Sequence, residues 1–539
     1  MLRSATTRGV DRLKQAMTQA TSTLTLPPGV RTPLPDVSRM LDLPAESWQK
    51  LGARLFELEL PAAYYAVASI GGDLFEPATR PLRNRALRRR DQLVDRALRL
   101  FSFGDPVTEE EAHSVLGDAL LGELGSVGLV VREGDRRVSP FRLRAAPSAP
   151  AGAPRGILFF ADSLGHGGDA IMGMGPLTGS LLRASLPSGP IERALDLGCG
   201  AGFIALALSP IAATVVASDI NERARVLTHL NAALNGITNI EIRIGDLFAP
   251  VQGERFDRIV CQPPFFPAPE GFLGATFMHG GRRGDELAMR VFAELPRHLS
   301  ARGRGAIIVE LPEVAGQPVA TRIRSVLPLD TNLLVLESEG PDADAFCMGD
   351  TAFAHPDFGP EYERSVLLQR DHLERIGIER LRICLAIVEP ASGQTPGNPE
   401  HWTGTLEVRD VSDPSVNAAL VDTLVEANAA VHRGRESLLA QKLRIREGAS
   451  FVPDKGDRVR VLFSAAGPLA EIQLDRGAHR IVEMVSSAPN VQAAAKRFTR
   501  ESSGPRTTAQ ERFLAAVEQM LLAGILEVVL REIPAQQAR

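Results

Sequence analysis

Apolar residues follow two periods along this chain, and the changes of period divide it into three regions. Up to about residue 143, Leu, Ala and Arg recur three and four positions apart, the spacing of amphipathic helices. Thr108-Glu-Glu-Glu111 reads as a capping box, in which a hydroxyl and a carboxylate satisfy orphan N–H groups at a helix start. The helix it opens has its apolar face at Ala112, Val115, Leu116, Ala119, Leu120 and Leu124, and Gly125 and Gly128 end it. Residues 129–131, a turn at Gly134 and residues 138–143 predict two short strands. Helices followed by a hairpin predict a winged-helix-like domain over residues 1–145. The Pro- and Ala-rich stretch 145–154 marks a linker. Over residues 155–390, short β-branched runs alternate with helical segments, which predicts an α/β domain with a mainly parallel sheet. A second Pro/Gly-rich break covers residues 390–399. Residues 400–539 mix both periods. There Thr507 with Gln510 reads as a cap, Phe513, Leu514, Val517, Met520 and Leu521 form one face, and Gly524 closes the helix before a strand at 525–530. That order leaves a second winged-helix-like unit open within a mixed α+β domain.

Composition narrows the classes. The 539 residues are 44% apolar and 23% charged, which excludes a disordered chain, a collagen and a coiled coil. A net charge of −5 disfavours a dedicated nucleic-acid binder. Four cysteines without a CxxC pair exclude a disulfide scaffold, give no structural zinc site, and predict a reducing, cytoplasmic setting. No apolar run approaches the ~18 residues of a membrane span. Met1–Leu24 is rich in Arg, Ser and Thr; a frayed terminus is favoured over a transit peptide. Arg83, Arg85, Arg88, Arg89 and Arg90 are basic enough to meet phosphates. They lack interleaved aromatics and are followed by Asp91 and Asp95, so a solvated helix face is favoured.

The strongest pattern begins at Arg193-Ala-Leu-Asp-Leu-Gly-Cys-Gly-Ala-Gly202. A strand over 194–197 runs into a glycine turn and then a helix over 203–208. Gly198, Gly200 and Gly202 let backbone approach a ligand, and the helix start offers N–H donors and a positive dipole end. The next strand ends in Asp219, where a carboxylate can accept both hydroxyls of a ribose. Strands at 240–244, 256–261 and 305–311 end in Gly245-Asp-Leu-Phe248, in Gln262-Pro-Pro-Phe265 and in Pro312. Ligands of open α/β sheets bind outside such carboxyl ends. The turn is GxGxG rather than the GxGxxG of dinucleotide dehydrogenases.

In order and spacing, Leu195-Asp-Leu-Gly-Cys-Gly-Ala-Gly202, Asp219, Gly245-Asp246 and Gln262-Pro-Pro-Phe265 resemble the motifs of class I S-adenosylmethionine-dependent methyltransferases. The nearest resemblance is to the small-domain subgroup, which includes release-factor glutamine and ribosomal RNA guanine methyltransferases. That subgroup has Asn where this chain has Gln262. Gly280-Gly-Arg-Arg-Gly284-Asp285 resembles its glycine loop, and Met172-Gly-Met-Gly-Pro-Leu-Thr178 resembles a segment that covers the cofactor. The resemblance implies a Rossmann-like seven-stranded sheet and S-adenosyl-L-methionine as cofactor. It places Asp196, Gly198, Cys199, Gly200, Gly202, Asp219, Ile220, Asn221, Asp246, Leu247 and Thr178 around that cofactor. It gives the acceptor to Gln262, Pro263, Pro264 and Phe265.

The chemistry fits those residue types. An amide or ring-amino nitrogen has a delocalised lone pair. A side-chain amide oxygen and a backbone carbonyl can accept its two N–H bonds and aim the pair at the methyl, while an aromatic ring holds the flat group. Gln262, the Pro263 carbonyl and Phe265 are assigned those roles; the alternative is that Gln262 only caps its strand. Asp196 either meets the methionine amino group or braces the turn. His279 is weighed as a base and His166 as a loop residue at the entrance, a structural role being favoured for His279. Cys199 and Cys261 are read as packing residues. The expected function is N-methylation of a protein or an RNA base, with acidity favouring protein. The alternatives are a small-molecule N- or O-methyltransferase and a non-catalytic cofactor-binding module. No metal and no membrane partner are expected, and the oligomeric state is open.

Overall fold

Eight strands form the central sheet of the computed structural model: β1 (Ile191–Leu197), β2 (Ala212–Asp219), β3 (Ile240–Ile244), β4 (Phe256–Cys261), β5 (Leu299–Pro312), β6 (Thr331–Asp342), β7 (Arg380–Pro390) and β8 (Thr403–Glu407). Their order across the sheet is β8-β6-β7-β5-β4-β1-β2-β3. β7 runs antiparallel to both its neighbours, and the other pairs are parallel. Residues 34–71, 80–146, 156–163, 168–269, 275–355, 358–391, 401–456, 458–463, 472–503 and 505–529 are described. Met1–Leu24, His166 and most of the two Pro-rich breaks lie outside them.

The strands read as apolar runs because both faces of the sheet are covered. On one face lie α1 (Pro176–Ser185), α2 (Phe203–Leu208) and α3 (Glu222–Leu234). On the other, α4 (Glu286–Glu294) and α5 (Val319–Val326) bury Ala288, Val291, Phe292, Val319 and Ile323 against Leu195, Ile259 and Ile307. A helical hairpin, α6 (Ala343–Ala354) and α7 (Pro360–Ile376), joins β6 to β7. The register sets Leu197 level with Ser218 and Cys261, so β1, β2 and β4 end together at one edge.

Two expected boundaries are corrected. Thr403–Glu407 pairs with Leu333–Glu337, so the chain after the second break adds an eighth strand to a sheet expected to have seven. Gly404 is required there: a Cβ would stand 2.3 Å from Asn428 Oδ1 on α8 (Ala418–His432). Arg304 of β5 bonds to Asp422 of α8, tying the next region to the sheet as well. At the other end, Phe141–Ala146 pairs antiparallel with Ile157–Asp162 across the expected linker. This ribbon docks on α3, where Asn231 Oδ1 accepts the Phe160 N–H at 2.7 Å and Asn235 Oδ1 accepts that of Leu158 at 3.1 Å.

The N-terminal region holds helices Ala45–Glu57, Leu60–Gly71, Arg80–Arg90 and Glu109–Ser126, with a small sheet of Val107–Thr108, Arg136–Val138 and Val131–Glu133. Residues 138–143 are not one strand, since Ser139 and Pro140 interrupt them before the ribbon begins. The Thr108/Glu111 capping box forms, with bonds of 3.1 and 2.7 Å. Gly117, at φ +71°, breaks the helical phase behind it. Leu121 is therefore buried in place of the expected Ala119, which is exposed.

The arginine run is a solvated face at Arg85, Arg88, Arg89 and Arg90, all exposed, and departs from it only at Arg83. Arg83 is buried over the Phe103 ring, 4.2 Å from its centroid, and Arg88 and Arg90 pair with Asp105 and Asp95. In the C-terminal region Leu443–Ile445 pairs with Leu526–Val528, beside a three-stranded meander and helices Arg476–Ser487, Val491–Glu501 and Arg506–Leu522. Pro505, not Thr507, is the N-cap of the last helix, whose expected apolar face is buried in full.

Candidate functional site

A cavity of about 980 Å³ opens at the carboxyl ends of β1, β2, β4 and β5. The glycine turn forms one wall. The N–H groups of Gly198 and Cys199 both donate to the Ser218 carbonyl, at 2.8 and 2.9 Å, which pins the turn to β2. Gly198, Gly200 and Gly202 have φ of +79°, +52° and +80°, a region that only glycine enters without strain. Gly202 does not line the cavity. It lets α2 approach α3, where a Cβ would meet Thr228 at 2.6 Å.

The acids of this wall are held by backbone. Asp196, 1% exposed, accepts the Ala205 N–H at 2.9 Å, and burial pushes its carboxyl up to about 7. Asp219 accepts from Gly200 through one oxygen and from Asn221 through the other, both at 2.9 Å. Burial raises its proton affinity against the pull of those donors. Asn221 caps α3 by accepting the Arg223 N–H and donates to the Asp169 carbonyl. Ile220, between them, is 59% exposed. Asp246 is exposed and paired with Arg290 at 2.8 Å, and Leu247 beside it is held at φ +46°.

The loop after β4 forms the next wall. Gln262, Pro263, Pro264 and Phe265 all face the cavity. Thr178 ties this loop to the start of α1: its hydroxyl accepts the Gly175 N–H at 3.2 Å and donates to Gln262 Oε1 at 2.7 Å. One lone pair of the Gln262 oxygen is thus engaged and one is left, since a carbonyl oxygen accepts two bonds. The Gly280–Gly284 loop braces the other side, where a Cβ on Gly280 would stand 2.6 Å from Phe265 Cα. His372 of α7 bonds to the Arg282 carbonyl at 2.7 Å, which fixes that loop in turn.

The structure therefore brings Thr178, Asp196, Gly198, Cys199, Gly200, Asp219, Ile220, Asn221, Asp246, Leu247 and Gln262–Phe265 to one cavity, and leaves out Gly202. His279 lines it too. Cys199 and Cys261 are buried with thiols pushed upward by desolvation, so neither is a ready nucleophile. A buried ion pair supports the site from behind: Arg223 Nε bonds to Asp162 at 2.8 Å, and the same carboxylate accepts the Ile171 N–H at 2.7 Å where the Met172–Thr178 segment starts. Glu310, Asp350, Arg409, Asp410 and Ser412 also line the cavity and escaped sequence reasoning. Glu310 had a signal, being the one charge in Ala-Ile-Ile-Val-Glu-Leu at a strand end. Asp350 and the 408–412 loop had none. Among the described residues no His/Cys/Asp/Glu group is placed to hold a metal, and no helix is long and apolar enough to cross a membrane.

The methyltransferase small domain family model matches residues 178–310. A ribosomal protein uL3 glutamine methyltransferase of Bordetella pertussis is 35% identical over 124 residues, 21% of this chain and 42% of that protein. A release factor glutamine methyltransferase of Gloeobacter violaceus is 31% identical over 137 residues, 23% of this chain and 46% of that one. A ribosomal protein uL3 glutamine methyltransferase of Xanthomonas campestris is 27% identical over 215 residues, 37% of this chain and 70% of that protein. The chain spans less than half the length of the first two. The matched span holds the glycine turn, Asp219 and the Gln262–Phe265 loop on one cavity, and residues 178–310 belong to the methyltransferase small domain family of class I S-adenosylmethionine-dependent enzymes.

Proposed function

We propose that this chain is an S-adenosylmethionine-dependent methyltransferase that modifies a planar nitrogen of a macromolecule, a protein rather than RNA. One observation carries this reading: the glycine turn and the Gln262–Phe265 loop are walls of the same cavity. Its volume, about 980 Å³, has room for a nucleoside cofactor and an acceptor side chain together. The donor set fits the cofactor, with a fixed carboxylate at Asp219 for ribose hydroxyls, the exposed Ile220 side chain for a flat base, and Asp196 for an amino group. When bound, the cofactor supplies a methyl group already activated by a positive sulfur.

The chain's own task is placement. The free lone pair of Gln262 Oε1 and the Pro263 carbonyl accept the acceptor's N–H bonds and stabilise charge growing on nitrogen. Thr178 holds the Gln262 amide in the one orientation that allows this. Phe265 presents an apolar ring to the flat group. The glutamine methyltransferases among the relatives and the net charge of −5 support a protein acceptor. The regions before and after the sheet, both stitched to it, are the surfaces we assign to recognising that large substrate. Four unpaired, buried thiols suit a reducing cytoplasm.

The test uses methyl-labelled S-adenosylmethionine with host extract separated into protein, RNA and small-molecule fractions. Label is expected in protein, and Gln262→Ala lowers it without weakening S-adenosylhomocysteine binding. Label confined to small molecules, or a Gln262→Ala variant with full turnover, overturns the reading.

A further inference from the structure

The wall of the cavity away from the glycine turn carries charge that a cofactor does not need. β5 lies between β4 and β7, so Glu310 near its end sits one strand over from the Gln262–Phe265 loop and directly opposite Ile383 of β7. Asp350 comes from α6. Phe346, one turn earlier on that helix, packs on Phe266 with ring centroids 5.7 Å apart, which turns this face of α6 toward the Pro-Pro loop. Glu310 and Asp350 both line the cavity, near enough that the charge of one raises the proton affinity of the other. Asp350 is half-buried and lines the cavity, and its Oδ2 has no hydrogen-bond partner among the described residues. Among the described residues, no hydrogen bond or ion pair reaches either carboxylate. Glu339 and Asp410 add negative charge to the same side, and Arg409 adds one positive charge.

Glu310 and Asp350 are half-buried, and a partly desolvated carboxylate without a partner is costly, two close together more so. Desolvation pushes Glu310 up to about 7 and Asp350 well upward. The acid that only braces the fold is given donors, as Asp162 is by Ile171 and Arg223, and even the cofactor-side acids Asp196 and Asp219 accept backbone N–H bonds. A cationic guest would supply the donors these two lack.

We propose that Glu310 and Asp350 recognise the methyl acceptor, and that the acceptor group is a guanidinium held by both carboxylates with its plane against Phe265. The proposal rests on the methyltransferase reading and names its substrate class. A guanidinium keeps its charge when desolvated, presents donors in a flat fork that matches carboxylates, and stacks on aromatic rings. An ammonium has the charge without the plane, and a neutral amide has the plane without the charge. The transfer forms an N–CH3 bond and breaks the S–CH3 bond with its electron pair returning to sulfur. One N–H proton is released, which these carboxylates are placed to take.

Binding tests this directly. Protein saturated with S-adenosylhomocysteine is titrated calorimetrically with n-butylguanidinium, n-butylammonium and the uncharged butyramide. The guanidinium is expected to bind about tenfold or more tightly than butyramide, and Glu310→Gln and Asp350→Asn each abolish that preference while S-adenosylhomocysteine affinity holds. Equal binding of butyramide, tighter binding of the ammonium, or a preference that survives both substitutions overturns the proposal. Failure of wild-type protein to bind S-adenosylhomocysteine overturns the methyltransferase reading beneath it. Thermal melting guards against misfolding. Each substitution removes an unpaired acid, so both variants should melt at or above the wild-type temperature. Lower melting in both assigns the carboxylates to the fold instead.

Discussion

The two halves of the cavity treat their acids in opposite ways. On the β1–β2 side the buried carboxylates already have donors: Asp196 the Ala205 N–H, Asp219 those of Gly200 and Asn221, and behind this wall Asp162 those of Ile171 and Arg223. On the β5–α6 side Glu310 and Asp350 have no partner among the described residues. The first arrangement builds a rigid cradle, because a carboxylate that accepts two backbone N–H bonds fixes the loop that donates them. The second stores an unsatisfied demand that only a ligand can meet. One half is thus finished by folding, and the other is finished by its acceptor.

The largest effect should come from breaking the occupied side. Asp162→Ala leaves Arg223, itself buried, without its carboxylate, and denaturant unfolding should show a loss of about 3–5 kcal/mol. A loss below about 1 kcal/mol would mean that the ribbon and the Met172–Thr178 segment are held by other contacts.

The unoccupied side predicts a pH effect of known sign. Glu310 in the folded chain keeps its proton to about pH 7, whereas unfolded it loses it near 4.5. Between those values the native state binds more protons, so its stability falls as pH rises through the window. At about 1.4 kcal/mol per unit, the contribution reaches about 3 kcal/mol. Asp196, pushed up to about 7, adds a fall of the same sign. Comparing wild type with Glu310→Gln isolates the Glu310 share. Identical stability profiles from pH 4.5 to 7.5 would contradict it.

Gly202→Ala comes next. It places a Cβ 2.6 Å from Thr228 at a φ of +80° and should cost about 1–3 kcal/mol, read by thermal melting, with weaker S-adenosylhomocysteine binding. The smallest effect in stability is the most informative for chemistry. Thr178→Val removes two hydrogen bonds, one to Gln262 and one from the Gly175 N–H at the helix start, together worth about 1–2 kcal/mol. It should lower methyl transfer about tenfold, because the amide loses its orientation. Unchanged transfer would separate Gln262 from the acceptor.

Much of the occupied half was legible in the sequence. Gly198, Gly200 and Asp219, and across the cavity the Gln262–Phe265 loop, announce themselves because each combines a residue type and a strand end, both of which are local. Non-local features were not legible. The eighth strand depends on residues 403–407 finding β6, some seventy positions earlier in the chain, and only Gly404 hinted at a close approach. Asp350 is an ordinary helical acid until the α6–α7 hairpin folds onto Phe266. Arg83 looked like part of a solvated run, which its exposed neighbours Arg85, Arg88, Arg89 and Arg90 are, because its partner Phe103 comes from another turn of the chain. Gly117 misled in a different way, since one left-handed residue shifted the helical phase and exchanged Ala119 for Leu121.

The division of the cavity can be measured by equilibrium binding of S-adenosylhomocysteine to three proteins. Asp219→Ala should bind about 10–100-fold more weakly than wild type, because it removes the carboxylate assigned to the ribose hydroxyls and frees the Gly200 and Asn221 N–H groups that the carboxylate holds. The double variant Glu310→Gln, Asp350→Asn should bind it as wild type does. Equal weakening of both variants, or undiminished binding by Asp219→Ala, would contradict the separation of a cofactor half from an acceptor half.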